Sequence, residues 1–208
     1  MTPTGSVPLI ESLPDFPAIQ QIQRALWGVA ETRGAAVMVG AGFSRNALLP
    51  APNSPTPPLW TDFCRLMAER IHPDARKAPA DPLRLAEEYV AELGRAALEG
   101  LIHELVRDGE WLPGPLHDKL LSLPWTDVLT TNWDTLLERA AETSDQQTYE
   151  SVKSVADIPR TRSPRIVKLH GSVPSGPFIF TEDDYRTYPR RYPPFVNLVQ
   201  QVDRKSVM

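Results

Sequence analysis

Residues 35–44 read A-A-V-M-V-G-A-G-F-S, and no other stretch constrains the fold as much. Five small or apolar residues run into Gly40, Ala41 and Gly42. This predicts a buried parallel strand ending in a glycine turn, the usual opening of a mononucleotide-binding α/β fold. Glycine lets backbone N–H groups approach a phosphate closely, where a Cβ would stand in the way. The same pattern occurs in α/β proteins that bind no nucleotide, so its meaning depends on what later turns bring beside it.

The 208 residues suffice for one sizeable core, or for one domain with an insertion. Lys and Arg number 22 against 26 Asp and Glu, a net charge of −4, so no field of one sign marks a nucleic-acid footprint. The local exception is Arg186, Arg190 and Arg191. A single cysteine, Cys64, permits neither an intrachain disulfide nor a cysteine-rich zinc site. No apolar run reaches the roughly 18 residues of a spanning helix, and the N-terminus has no signal-peptide pattern, so a reducing cytoplasmic setting is expected.

In chain order, residues 1–14 read as a flexible arm. Asp15 is a plausible cap for a helix carrying Ile19, Ile22, Leu26, Val29 and Ala30, expected to end near Gly34. After the glycine turn, Pro50, Pro52, Pro55, Pro57 and Pro58 exclude regular structure. A stiff loop in that position is expected to act as a lid over a ligand, the alternative being a surface linker. Helices are expected from Thr61, over Asp81–Leu93, over Arg95–Arg107 and over Leu116–Leu123, with no strand between. His103-Glu104 does not complete H-E-x-x-H, because Arg107 stands where the second His belongs. His72 and His117 are expected to face solvent.

Two further strand–turn units follow. Val128–Thr131 is a short strand, and Asn132 or Asp134 can cap the next helix or face a ligand; the sequence leaves both open. Ile166, Val167 and Leu169 form another strand, with His170, Gly171 and Ser172 at its end. A strand is expected around Phe178–Phe180. Thr181 and Asp184 form a capping-box pattern, and Pro193 and Pro194 open a last amphipathic helix. The organisation expected is α/β, a Rossmann-like parallel sheet from residues 15–59 and 124–208, interrupted by a helical insertion at 60–123.

Three turns, taken in order, resemble the sirtuin family. G-A-G-F-S (Gly40–Ser44) resembles its first nucleotide loop, T-T-N-W-D (Thr130–Asp134) its T-Q-N-x-D turn, and L-H-G (Leu169–Gly171) its catalytic H-G. F-I-F-T-E-D-D-Y is similar to an element of the bacterial sirtuin-like branch. The four-cysteine zinc module of true sirtuins is missing, as is their Asp-Phe-Arg segment after the first loop. Protein deacylation is therefore the least favoured activity. Nothing after Val173 matches the later glycine-and-serine turn near the adenosine. Either residues outside this sequence supply that C-terminal part, or the pocket is completed another way.

The resemblance implies an NAD+ hydrolase of bacterial antiviral defence, with NAD as substrate and no metal. Backbone N–H groups of Gly40, Ala41, Gly42 and Phe43, with Ser44 and Arg45, would cradle the pyrophosphate. Thr131, Asn132 and Asp134 would orient the ribose or water. His170 would act as general base, with a pKa near ~6.5 if unperturbed. Asn132 and His170 are the expected catalytic pair. A homo-oligomer or a sensor protein is the expected partner. The alternative is an NAD- or ADP-ribose-binding assembly module without turnover.

Overall fold

The computed structural model describes residues 10–28, 34–72, 74 and 78–205. Its sheet holds four parallel strands, β1 (Ala36–Val39), β2 (Asp127–Thr130), β3 (Glu150–Val152) and β4 (Arg165–Lys168), in the spatial order β1-β2-β4-β3. This is the α/β, Rossmann-like class that the strand–turn stretches predict. The three-residue β3 has no sequence signature, because E-S-V carries one apolar residue.

Both faces of the central strands β2 and β4 are buried, as parallel strands require. Strand β1 lies at the sheet edge with only Val39 buried and Met38 exposed, so the buried strand expected there is corrected to a half-buried one. Side chains alternate along each strand. Val128 and Ile166 pack on one face with Leu26, Leu121, Trp125 and Leu137. Leu129 and Val167 pack on the other with Val152, Phe195 and Leu198. The covering helices are α1 (Phe16–Trp27), α6 (Pro115–Leu121), α7 (Leu136–Glu142) and α9 (Pro193–Lys205). A third apolar cluster joins α3 (Trp60–Ile71), α4 (Pro82–Leu93) and α5 (Arg95–Leu105), centred on Met67, Tyr89, Ile102 and Trp111. Trp133, Phe178 and Phe180 from the later chain complete it.

The helices between β1 and β2 fall close to their expected bounds, since each has a cap or a breaker. Asp81 accepts hydrogen bonds from the N–H of Leu83 and Arg84 at the start of α4, and Gly94, at φ 87°, divides α4 from α5. Thr181 and Asp184 form the expected capping box of α8 (Glu182–Arg191).

Three further expectations need correction. Helix α1 ends at Trp27 with Gly28 extended, short of Gly34; Val29 and Ala30 lie outside the described residues, as do residues 1–9 of the expected arm. Phe178–Phe180 is not a strand. Its backbone is held by side chains instead: the Phe178 carbonyl accepts from Arg95, and the Phe180 N–H donates to Asp184 at 3.0 Å. His117 is buried rather than solvent-facing. Its Nδ1 accepts from the Gly114 N–H at 3.1 Å, and its ring meets Phe43 edge-on. His72 is half-buried, with its Nε2 3.4 Å from Glu88.

Candidate active site

Register sets the site. Val39 pairs with Thr130, and Thr130 pairs with Lys168, so β1, β2 and β4 end level with one another. The turns starting at Gly40, Thr131 and Leu169 therefore leave the sheet side by side, about 5 Å apart from strand to strand. In open α/β sheets this carboxyl edge is where ligands bind.

At the β1–β2 rim the side chains form one hydrogen-bonded knot. Asn132 Nδ2 donates to the Gly40 carbonyl at 3.0 Å and to Ser44 Oγ at 2.8 Å. Ser44 Oγ donates in turn to Asp134 Oδ2 at 2.7 Å. The other carboxylate oxygen, Oδ1, accepts from the Leu136 N–H at 3.2 Å, so Asp134 both holds the site and caps α7. Asn132 caps nothing. Its orientation is fixed, because a flipped amide would set its oxygen against the Gly40 carbonyl. Both amide hydrogens are thus spent on protein, while the buried Oδ1 has no hydrogen-bond partner. An orphaned buried acceptor is costly, and a ligand hydroxyl or water would satisfy it.

Asn132 lines a cavity with Ala41, Ser44, Asp134, Trp60 and the proline loop at Pro57 and Pro58. The cavity holds about 40 Å³, enough for a water but not for a nicotinamide ring. The proline loop lines one wall of this space, beside the glycine turn. Arg45 serves the loop: its Nη1 donates to the Pro57 carbonyl at 2.9 Å and to Thr56 Oγ1. Trp111 Nε1 anchors the same loop through the Pro55 carbonyl at 2.8 Å. The Phe43 N–H turns back onto the Gly40 carbonyl at 2.8 Å within the one-turn helix α2 (Ala41–Ser44).

The two glycines of this turn are not demanded by the fold. Neither has a positive φ, and a Cβ would meet nothing closer than Thr131 Oγ1 at 4.0 Å from Gly40, and nothing within 4 Å at Gly42. Gly171 is the opposite case. Its φ is 86°, and a Cβ there would lie 1.6 Å from the Pro177 carbonyl oxygen.

His170 stands one strand over and does not line the cavity. Its Nδ1 lies 3.4 Å from the Tyr185 hydroxyl, and its ring meets those of Tyr185 and Tyr188 edge-on at centroid distances of 5.1 and 6.4 Å. Burial pushes its pKa down to about 4, although the Asp184 carboxylate pulls the other way. This replaces the value near 6.5 expected for an exposed imidazole and leaves the ring neutral at physiological pH. Asp184 itself is occupied by Arg95 at 2.7 Å, Arg191 at 3.3 Å and two backbone N–H groups.

Two residues without a motif tie the rims together. Trp133 Nε1 donates to the His170 carbonyl at 3.0 Å, and the Trp133 carbonyl accepts from the Val173 N–H at 2.8 Å. Lys168 is 1% exposed; its Nζ donates to the Asp134 carbonyl and lies 3.5 Å from the buried Glu138 carboxylate. A lysine inside R-I-V-K-L, directly before His-Gly, was the available signal.

Among the described residues, no three His, Cys, Asp or Glu side chains gather as a metal would require. No described helix is long and apolar enough to cross a membrane.

A parallel α/β sheet with three polar turns at one carboxyl edge is the arrangement that the sirtuin resemblance implies, and the comparisons with known proteins point the same way. Residues 126–208 match the family model described as SIR2-like domain. The chain is 26% identical over 153 residues to defense-associated sirtuin 2 of Bacillus subtilis, covering 70% of this chain and 15% of that protein. It is 33% identical over 143 residues to NAD(+) hydrolase ThsA of Acinetobacter baumannii (strain 532279), covering 66% of this chain and 29% of that protein. The chain is thus similar to the sirtuin-like family over these stretches, and it spans less than a third of the length of either relative.

Proposed function

We propose that this chain cleaves NAD+ between nicotinamide and ribose, releasing nicotinamide and ADP-ribose. The observation that carries the reading is the free Asn132 Oδ1, buried at the carboxyl edge with both amide hydrogens already fixed. Such an acceptor holds a ribose hydroxyl or the attacking water in one orientation. The bond breaks through an oxocarbenium-like state in which nicotinamide leaves with the bonding electrons. Water adds to the sugar carbon and gives up a proton, for which a neutral His170 is the acceptor. Gly40 and Gly42, small without structural need, leave room for the pyrophosphate. Ser44 and Asp134 keep the carboxamide in place, and Thr131 borders the same space. Entry requires the Pro57–Trp60 loop to lift.

The biological role we infer is NAD depletion in the cytoplasm as an effector of antiviral defence; one relative being a defense-associated sirtuin and the other an NAD(+) hydrolase supports the defence and NAD parts of this reading. Activity would be released by self-assembly or by a sensor protein.

A second reading, a module that binds NAD or ADP-ribose without turning it over, has one observation in its favour: His170 does not line the closed cavity. Calorimetric titration with NAD+ beside a nicotinamide-release assay separates the two. Binding with release supports hydrolysis, whereas binding without release in the assembled protein supports the module.

A further inference from the structure

Among the described residues, the Tyr185 hydroxyl is the side-chain group at hydrogen-bond distance from a ring nitrogen of His170, at 3.4 Å from Nδ1. A neutral imidazole carries its proton on one nitrogen only, and the partner of the other nitrogen decides which. We propose that Tyr185 is a positioning residue that accepts a hydrogen bond from His170 Nδ1–H, so that Nε2 keeps the lone pair that takes up the proton. The proposal deepens the hydrolase reading and rests on it for the role of Nε2.

The surroundings select this direction. Tyr188, the other tyrosine beside the ring, spends its hydroxyl on the Leu169 carbonyl at 2.7 Å and has no proton to offer the imidazole. The His170 carbonyl is taken by Trp133 Nε1 and the Ile179 N–H, which fixes the backbone on which the ring turns. The Asp184 carboxylate faces Arg95 and Arg191 rather than the ring nitrogens. Tyr185 is 37% exposed, so its own hydroxyl proton can point to solvent while its oxygen accepts. Burial and the Asp184 charge raise its pKa, so it remains a neutral phenol at the pH of the reaction. When Nε2 takes a proton, the Nδ1–H···O contact persists. The edge-on contact of the two rings at 5.1 Å holds the geometry, and phenylalanine would preserve it.

The test is Tyr185→Phe in the whole chain, read in two ways. Two-bond proton–nitrogen correlation spectra at pH 7 report the tautomer without any substrate. The wild type is expected to carry the His170 proton on Nδ1, and the variant to show both tautomers. For nicotinamide release, kcat is expected to fall about tenfold, the worth of one hydrogen bond, with KM unchanged. A wild-type ring protonated on Nε2 overturns the proposal whatever the rates are. An unchanged tautomer in Tyr185→Phe overturns it as well. If neither chain releases nicotinamide in the assembled protein, the hydrolase reading falls, and the spectra still decide whether Tyr185 sets the tautomer.

Discussion

The rims of β1 and β4 carry the same kind of element, a strand ending in a glycine turn, and the structure uses them in opposite ways. At β4, Gly171 is required by the backbone: a positive φ and a carbonyl 1.6 Å from any added Cβ admit no other residue. At β1, Gly40 and Gly42 have ordinary dihedrals and open space around them. A glycine that the fold needs says little about ligands. One that the fold does not need points to something that comes and goes. The polar groups divide in the same sense, with an unpaired acceptor at Asn132 and a paired, half-buried imidazole at His170.

The comparison breaks most visibly on glycine-to-alanine exchange. Gly171→Ala is expected to cost about 3 kcal/mol or more, from strain and the forced shift of Pro177. It should appear as a fall in Tm of several degrees or as insoluble protein. Gly42→Ala is expected to leave Tm nearly unchanged and to weaken NAD+ binding in a calorimetric titration. Equal losses of Tm in the two variants would erase the distinction.

A smaller effect tests the knot itself. Ser44→Ala removes the link between Asn132 and Asp134, each now within 2.8 Å of its hydroxyl. Nicotinamide release is expected to drop about tenfold, since the carboxamide loses one of two anchors but keeps the Gly40 carbonyl. A drop as deep as that of an Asn132 variant would make Ser44 a direct participant.

The smallest effect is on pH dependence, and it sharpens the β4 side. The folded pKa of His170 is depressed to about 4 by burial, below its value in the unfolded chain, and that of His117 is lowered by burial too. His170 thus contributes stability that is complete above about pH 6.5 and declines as pH falls towards 4, and His117 acts in the same direction, because the unfolded chain binds their protons first. The rate should be level from neutral pH down to about 5 and fall below it, as the base becomes protonated. Chemical denaturation across this range checks the first statement and initial rates check the second. A rate that halves near pH 6.5 would mean an exposed imidazole.

Much of this was legible in the sequence. Strands ending in Gly40, Asn132 and His170 follow from short apolar runs stopped by polar turns, and α4 and α8 follow from Asp81 and Thr181 at their caps. What could not be read depends on contacts far apart in the chain. Phe178–Phe180 looks like a strand because it is apolar, yet Arg95, some 80 residues earlier, takes one of its carbonyls. His117 looks exposed among polar neighbours, yet it is buried, with the ring of Phe43, distant in the chain, packed edge-on against it. Arg45 looked like a phosphate ligand, and the proline loop claims it instead. Trp133 and Lys168, which join the two rims, belong to no pattern of spacing.

The central claim is that the unpaired Asn132 oxygen serves the sugar of NAD+, and Asn132→Ala tests it most directly. Nicotinamide release would be followed for wild type and variant, with Tm recorded for each. The account predicts a loss of about 100-fold or more in rate with the protein still folded, since a group that orients the reacting sugar or water is removed. Undiminished release from a folded Asn132→Ala protein would contradict it.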